Sequence, residues 1–490
     1  MRNLAALCCL ATLTSSSLAF SIHRKSDSAS PKVVQHSISR RRVNDPLRRD
    51  RLRRRDSSKT ITESLTNEET LYYANCSLGT PAQALRLHID TGSSDLWANT
   101  PSSQICQYRD EGLCDDSGTY TANKSSTYKY LNSEFRISYA DNSGAQGDYA
   151  TDVFTLGGTT LQAQQFGIGY TSTSQEGILG IGYAANEAIE GVEGGREYVN
   201  VPQKMVQDGL INTNAYSLWL NDLDASTGSI LFGGINTDKY HGTLETLPII
   251  QIDGEYAAFY IALTAVGVKG VAGSLGKDLD TAVLLDSGSS LTYLPNNITS
   301  AIYSELGVTY SENEGAAFID CNRASENWTI DYTFSSPTIS VSLSELVVPI
   351  GESNGKDICI LGIAPADGST CVLGDTFLRS AYVVYDLESN QIGLAQTNFN
   401  STTDNILEIT NSTSTSGGIP SASAVANAVT VASLTASTAT AARNGLGSAS
   451  SAAAAAAPTL APGSYLRGGG QALVAYIHDV MFCVLLFTTL

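Results

Sequence analysis

The chain has 490 residues, with 29 Lys and Arg against 48 Asp and Glu, a net charge of −19, and only five histidines. That length allows roughly two to four folding units of ~100–200 residues each, and 42 % apolar residues supply a sizeable core. The acidic balance argues against nucleic acid as a partner, since phosphate binding needs clustered Lys and Arg to release counterions.

Residues 1–19 run from Arg2 through an apolar stretch, Leu4 to Leu13, to Ser17-Leu18-Ala19. A charged start, a short apolar core and a small-x-small ending predict a secretory signal peptide. The apolar run is too short to span ~30 Å of hydrocarbon as a membrane anchor. Residues 20–55 hold twelve Lys and Arg and three Asp, a net of +9, in the runs Arg40-Arg41-Arg42, Arg48-Arg49 and Arg53-Arg54-Arg55. Directly behind a signal, such runs read as a propeptide cut by a dibasic-specific convertase after Arg55. Residues 56–463 carry a net of −29 and just two histidines, His88 and His241. The basic segment therefore has an electrostatic reason to dock on this acidic region. A Ser-His-Asp triad would need one of these two histidines, and a multi-histidine zinc site is close to impossible.

From about 70 to 397, short β-branched and aromatic runs alternate with Gly, Asn, Asp and Ser. Phe135 to Tyr139, Ile230-Leu231-Phe232 and Ala381 to Tyr385 are examples, while helical periodicity is confined to stretches such as Val201 to Asp208 and Thr299 to Leu306. This predicts an all-β domain with few helices. Residues 398–463 are rich in Ser, Thr and Ala, with the run Ala452 to Ala457. Such a composition is expected not to fold and suits an O-glycosylated stalk. Sequons at Asn123, Asn297, Asn327, Asn400 and Asn411 predict N-glycosylation, whereas Asn75-Cys76-Ser77 falls inside an expected strand and should be unused. Residues 464–490 end in an apolar stretch, Ala472 to Leu490, behind the small residues Ala461 to Ser464 and a short spacer. This is the pattern of a glycosylphosphatidylinositol (GPI) anchor signal, with Gly463, Ser464 or Asn444 as attachment residue. A true tail anchor is the rival, but His478-Asp479 would be costly at a bilayer centre.

An internal repeat locates the chemistry. Leu87-His88-Ile89-Asp90-Thr91-Gly92-Ser93-Ser94 recurs as Val283-Leu284-Leu285-Asp286-Ser287-Gly288-Ser289-Ser290, and Ile178-Leu179-Gly180 recurs as Val372-Leu373-Gly374. The spacing from Asp to the later Gly is 90 residues in the first copy and 88 in the second. Two homologous lobes, about 70–240 and 241–397, are implied, with a pseudo-twofold axis that brings Asp90 and Asp286 together. Asp-Thr/Ser-Gly after an apolar strand turns the backbone at Gly and aims the carboxylate into a cleft. Two carboxylates about 3 Å apart share one proton, so one serves as base toward a water while the other polarises a carbonyl.

These motifs resemble those of pepsin-type aspartic endopeptidases, and the layout of the whole chain looks most like the fungal GPI-anchored, yapsin-like branch. The resemblance covers about residues 70–397 and implies a bilobal pepsin-like fold within residues 56–397. It further implies Asp90 and Asp286 as catalytic dyad, supported by Thr91, Gly92, Ser93, Ser287, Gly288 and Ser289, and a flap Tyr139 paired with Trp97. Where the family usually reads Tyr-Gly-x-Gly, this flap reads Tyr139-Ala140-Asp141-Asn142-Ser143-Gly144, which should stiffen the hairpin or move its tip toward Gly144. Asp141 could pair a basic substrate side chain for ~1–3 kcal/mol, or be a solvated turn residue. The resemblance also implies disulfides Cys106–Cys114 and Cys321–Cys359, leaving Cys76 and Cys371 as a third bridge or as buried thiols. No metal and no cofactor is expected. The partners are protein and peptide substrates and, through the anchor, the outer plasma membrane or cell wall, with the enzyme a monomer. A surface-binding protein on a decayed protease fold and a two-carboxylate glycosidase are the rivals. The intact motifs speak against the first and the duplication against the second.

Overall fold

In the computed structural model, residues 31–43, 69–107, 112–139, 143–225, 227–353, 355–410 and 418–433 are described. The signal peptide, the arginine runs beyond residue 43, Asp141, Asn411 and the anchor region, with Asn444, Gly463 and Ser464, lie outside them.

The first ten strands are β1 (Val34–Val43), β2 (Glu69–Leu78), β3 (Gln83–Asp90), β4 (Leu96–Asn99), β5 (Lys129–Ser138), β6 (Gly144–Leu156), β7 (Thr159–Ser172), β8 (Ile178–Gly180), β9 (Ala215–Trp219) and β10 (Thr227–Phe232). In the first lobe, β2, β3, β8, β4, β7, β6 and β5 follow one another, and β2 also pairs with β6, which curls the sheet on itself. The same sheet continues through β1, β10, β9 and the strands Ala381–Asp386, Gln391–Thr397 and Tyr240–Pro248, so it ties the two halves together. Ala381–Asp386 is buried along its whole length, and Tyr385 stacks on Tyr216 at 5.0 Å and meets Phe259 edge-on at 4.7 Å. Strands covered on both faces read as continuous apolar runs, which is how this one appears in the sequence.

The second lobe has a five-stranded sheet holding Tyr260–Leu263, Thr281–Leu285, Cys371–Leu373, Thr292–Leu294 and Ile363–Pro365, and two four-stranded sheets beyond it. Two helices fall where the periodicity places them. Val201–Gln207 starts on a reciprocal Asn200–Gln203 capping box, and Asn296–Leu306 stops at Gly307, whose φ of 62° suits a residue without Cβ.

Two expectations about the ends of the domain change. The basic segment engages by main-chain pairing: β1 lies between β10 and β2, with Val34 opposite Phe232 and Ile38 opposite Ala74, and Ile38 is completely buried. The stalk does not begin at residue 398. Residues 398–410 and 418–433 pack on the body: Ile406–Glu408 pairs with Gly234–Asn236, and Ile409 and Ile419 are buried. The buried Lys239 ammonium donates to the carbonyls of Ser401 at 2.8 Å and Thr403 at 2.9 Å, pairs with Asp404 at 3.1 Å, and lies over the Trp219 ring. Farther on, Ala422–Ala424 adds a parallel strand beside Tyr240–Pro248. A few aliphatic residues in a polar, small-residue tract suffice for this, because they meet a sheet edge that is already built.

The cysteines sort into two bridges, Cys106–Cys114 and Cys321–Cys359. The third bridge does not form. Cys76 and Cys371 are not disulfide-linked: they sit on strands of different sheets, Cys76 opposite Leu85 and Leu156, Cys371 opposite Val283. Burial pushes the Cys76 thiol well above its ordinary range.

Candidate active site

Asp90 closes β3, and Asp286 follows the strand Thr281–Leu285; both are almost wholly buried. Each carboxylate is held by its own loop in the same way. Gly92 N–H donates to Asp90 Oδ1 at 2.8 Å and Ser93 Oγ to Oδ2 at 2.5 Å. Gly288 N–H donates to Asp286 Oδ1 at 2.8 Å and Ser289 Oγ to Oδ2 at 2.6 Å. A methyl placed on Gly288 would stand 2.4 Å from Asp90 Oδ1 and 2.9 Å from Asp286 Oδ1, so both carboxylates converge on one point. Glycine is required there because any Cβ would collide with these two carboxylates.

The residues after each Asp lock the two loops together. Thr91 Oγ1 donates to Leu285 O at 3.0 Å and accepts from Ser287 N–H at 2.9 Å. Reciprocally, Ser287 Oγ donates to Ile89 O at 3.0 Å and accepts from Thr91 N–H at 3.2 Å. All four bonds are buried and cross between the halves, so the spacing of the carboxylates is fixed by the backbone.

The second repeated motif also takes equivalent places. Ile178–Gly180 runs parallel to β3 with Gly180 beside Asp90, and Cys371–Leu373 runs parallel to Thr281–Leu285. A Cβ on Gly180 would come within 2.6 Å of Asp95 N, and one on Gly374 within 2.3 Å of Ser289 O. These glycines permit the close threading behind each loop.

Over the first loop, β5 and β6 form a hairpin. Trp97 Nε1–H donates to Tyr139 Oη at 2.7 Å, and both side chains are buried against Phe135 and Ile137. Tyr139 N–H bonds Ser143 O at 2.8 Å across the base of the turn. Gly144 is the first residue of the returning strand, paired with Ser138. A Cβ at Gly144 would lie 2.2 Å from Ile137 O, so this glycine serves close strand approach at the hairpin base.

Sequence reasoning missed a second pair of carboxyls behind this wall. Asp95, fully buried, accepts from Tyr149 Oη and Tyr198 Oη at 2.9 Å each and from Ala188 N–H at 2.7 Å. Glu187, also fully buried, accepts from Tyr198 N–H at 2.7 Å. Burial raises the Asp95 carboxyl above its ordinary range, against the pull of its three donors. Burial first and the nearby Asp95 second push Glu187 up to about 10. The hint in the sequence was Asp95 itself, which stands three residues after the first motif's Gly92. Asn186, whose Nδ2 donates to Gly92 O at 3.1 Å, gave no signal. Among the described residues no cluster of three or more His, Cys, Asp or Glu is arranged to hold a metal ion.

A duplicated β-lobe presenting one hydrogen-bonded aspartate from each half to a common cleft is the arrangement of an aspartic peptidase. The family model described as eukaryotic aspartyl protease matches residues 71–397, and the chain belongs to that family. It is 54 % identical over 419 residues to the "Probable aspartic-type endopeptidase opsB" of Aspergillus oryzae, covering 84 % of each chain. It is 39 % identical over 361 residues to "Secreted aspartic protease 3" of Candida albicans, covering 72 % of this chain and 85 % of that one. The crystal structure of the aspartic proteinase from Irpex lacteus shares the fold, with a TM-score of 0.57 and 21 % identity over 76 % of this chain and all of that one. The chain is therefore an aspartic-type endopeptidase.

Proposed function

We propose that this endopeptidase hydrolyses protein substrates at acidic pH with Asp90 and Asp286 as its dyad, outside the cell and tethered by a lipid anchor. The observation that carries the reading is the matched pair of carboxylates, each with one N–H and one hydroxyl donor, converging beside Gly288. In the shared-proton state the ionised carboxylate takes a proton from water as its oxygen attacks the scissile carbonyl carbon. The protonated partner gives its proton to the carbonyl oxygen, which yields a neutral gem-diol. Collapse returns a proton to the nitrogen and breaks the C–N bond. Each proton transfer is worth about 10²–10⁴-fold. Activity peaks at acid pH because one carboxylate must keep its proton.

The signal peptide, dibasic propeptide and anchor signal are read from the sequence alone, as are the glycan sites. Asn123, Asn297, Asn327 and Asn400 are exposed, which suits glycosylation. Among the described residues no helix is long and apolar enough to cross a membrane. A basic-residue preference through Asp141 is the finer part of the proposal. The test is a peptide library digested at pH 3 to 7 by the cell-surface protein, before and after release by a phosphatidylinositol-specific phospholipase, with and without a statine-containing peptide. Acid-side cleavage blocked by statine and released by the phospholipase is expected. Cleavage indifferent to statine overturns the dyad, and activity retained on the cells overturns the anchor. Equal rates after Lys and Leu, unchanged in Asp141→Ala, overturn the preference.

A further inference from the structure

Within the repeated eight-residue motif, 87–94 and 283–290, related positions match in polarity at all but one buried position. Two residues before Asp286 stands Leu284; two residues before Asp90 stands His88, which is completely buried. The imidazole lies beside Tyr73 of β2, with ring centroids 5.7 Å apart. Its Nε2 is 3.2 Å from the carbonyl oxygen of Ser287, in the opposite half of the molecule. A carbonyl can only accept, so Nε2 carries the proton and donates.

The carbonyl it reaches belongs to the same peptide group as the Gly288 N–H, which donates to Asp286 Oδ1 at 2.8 Å. His88 and Asp286 are thus the two ends of one chain: imidazole N–H to carbonyl, then N–H to carboxylate. Hydrogen bonds in such a chain polarise one another by about 10–30 % per bond. The peptide before Gly92 makes the matching 2.8 Å bond to Asp90, but the residue equivalent to His88 there is the apolar Leu284. The four threonine–serine lock bonds come in symmetric pairs, so His88 is a polar inequality between the loops.

We infer that His88 is a positioning residue that breaks the symmetry of the dyad. Through the Ser287–Gly288 peptide it favours the ionised form of Asp286 and leaves the shared proton on Asp90. The sign does not depend on the charge of the imidazole, since a donor N–H is present in the neutral ring and in the cation. The tyrosines nearby do not supply the asymmetry by charge, and Asp95, which burial raises above its ordinary range, is turned to the Tyr149 and Tyr198 hydroxyls and the Ala188 N–H. Tyr216, Tyr260 and Tyr385, within electrostatic reach of the aspartates, are pushed by burial well above the ordinary tyrosine range and stay neutral; Asp375 acts on Tyr385 from farther back. Arg86, two residues before His88, lies over the Tyr73 ring at 5.0 Å.

The inference rests on the dyad assignment, and its test separates the two. The acid limb of kcat/KM is measured on one chromogenic peptide for wild type, His88→Leu, His88→Asn and His88→Gln, with thermal midpoints for each. Leucine is the residue nature places at the related position, so this variant should fold. In His88→Leu and His88→Asn, whose amide falls short of Ser287, the acid limb should move up by roughly half a pH unit. His88→Gln, which carries an N–H at the reach of Nε2, should restore the wild-type limb. A limb unmoved or moved down in both Leu and Asn variants overturns the inference, whatever happens to stability. Full activity in Asp286→Asn would instead overturn the dyad assignment beneath it.

Discussion

Replacing Glu187 by Gln should flatten the pH dependence of folding stability. Glu187 is sealed behind the flap wall beside Asp95, and burial raises its carboxyl from the ordinary 4.5 to about 10. Between those values the folded chain holds a proton that the unfolded chain has lost. The stability is therefore fully present below pH 4.5 and declines as pH rises toward 10, by about 1.4 kcal/mol per pH unit. From pH 4.5 to 7.5 the decline from this group is about 4 kcal/mol, a large part of the ~5–15 kcal/mol that holds a typical domain together. Glutamine has nearly the same shape, keeps an oxygen for the Tyr198 N–H and does not titrate. Urea unfolding at pH 4.5, 6 and 7.5 measures the difference, in an Asp90→Asn background to prevent self-digestion. The Gln variant should lose about 4 kcal/mol less than its parent over that range. Parallel losses in the two proteins would refute the argument that Glu187 is buried as the neutral acid.

Other outcomes rest on the same geometry. Gly288→Ala places a methyl between the carboxylates and should lower kcat/KM on a peptide substrate by more than about 10²-fold, with a fall in the thermal midpoint as well, because the buried carboxylates must shift. Trp97→Phe removes the 2.7 Å bond to Tyr139 and should reduce kcat/KM about tenfold, in steady-state assays. A chain ending after residue 433 should match the full domain in thermal unfolding, whereas one ending after 397 exposes Lys239 and the β-edge and should lose several degrees or more. Lys239→Ala should cost about 1.5–3 kcal/mol by denaturant unfolding, because the carbonyls of Ser401 and Thr403 lose their charged donor, while Asp404 is half exposed and adds little.

The two matched Asp-bearing loops were legible because their sequence is contiguous and written twice. The duplicated apolar-apolar-Gly motif likewise fell into parallel pairing beside each Asp-bearing strand. What escaped was decided by partners far away in sequence. β1 pairs with two strands that begin at residue 69 and residue 227, so charge alone pictured it as a surface contact. Residues 398–433 have a composition that cannot build a core, yet Ile406, Ile409 and Ile419 need only complete one. Elimination left Cys76 and Cys371 as a bridge or as buried thiols, and elimination carries no geometry; the strands that bear them belong to different sheets. Histidine scarcity spoke against a multi-histidine metal site but did not point to His88, whose role depends on a carbonyl 199 residues away.

The central claim is tested most directly by single and double Asn substitutions of Asp90 and Asp286, secreted, processed and assayed on one peptide from pH 3 to 7. Each single variant should lose at least about 10³-fold in kcat, and the double variant scarcely more, because the two carboxylates act as one unit. Normal turnover in either single variant, with folding intact, would contradict the account.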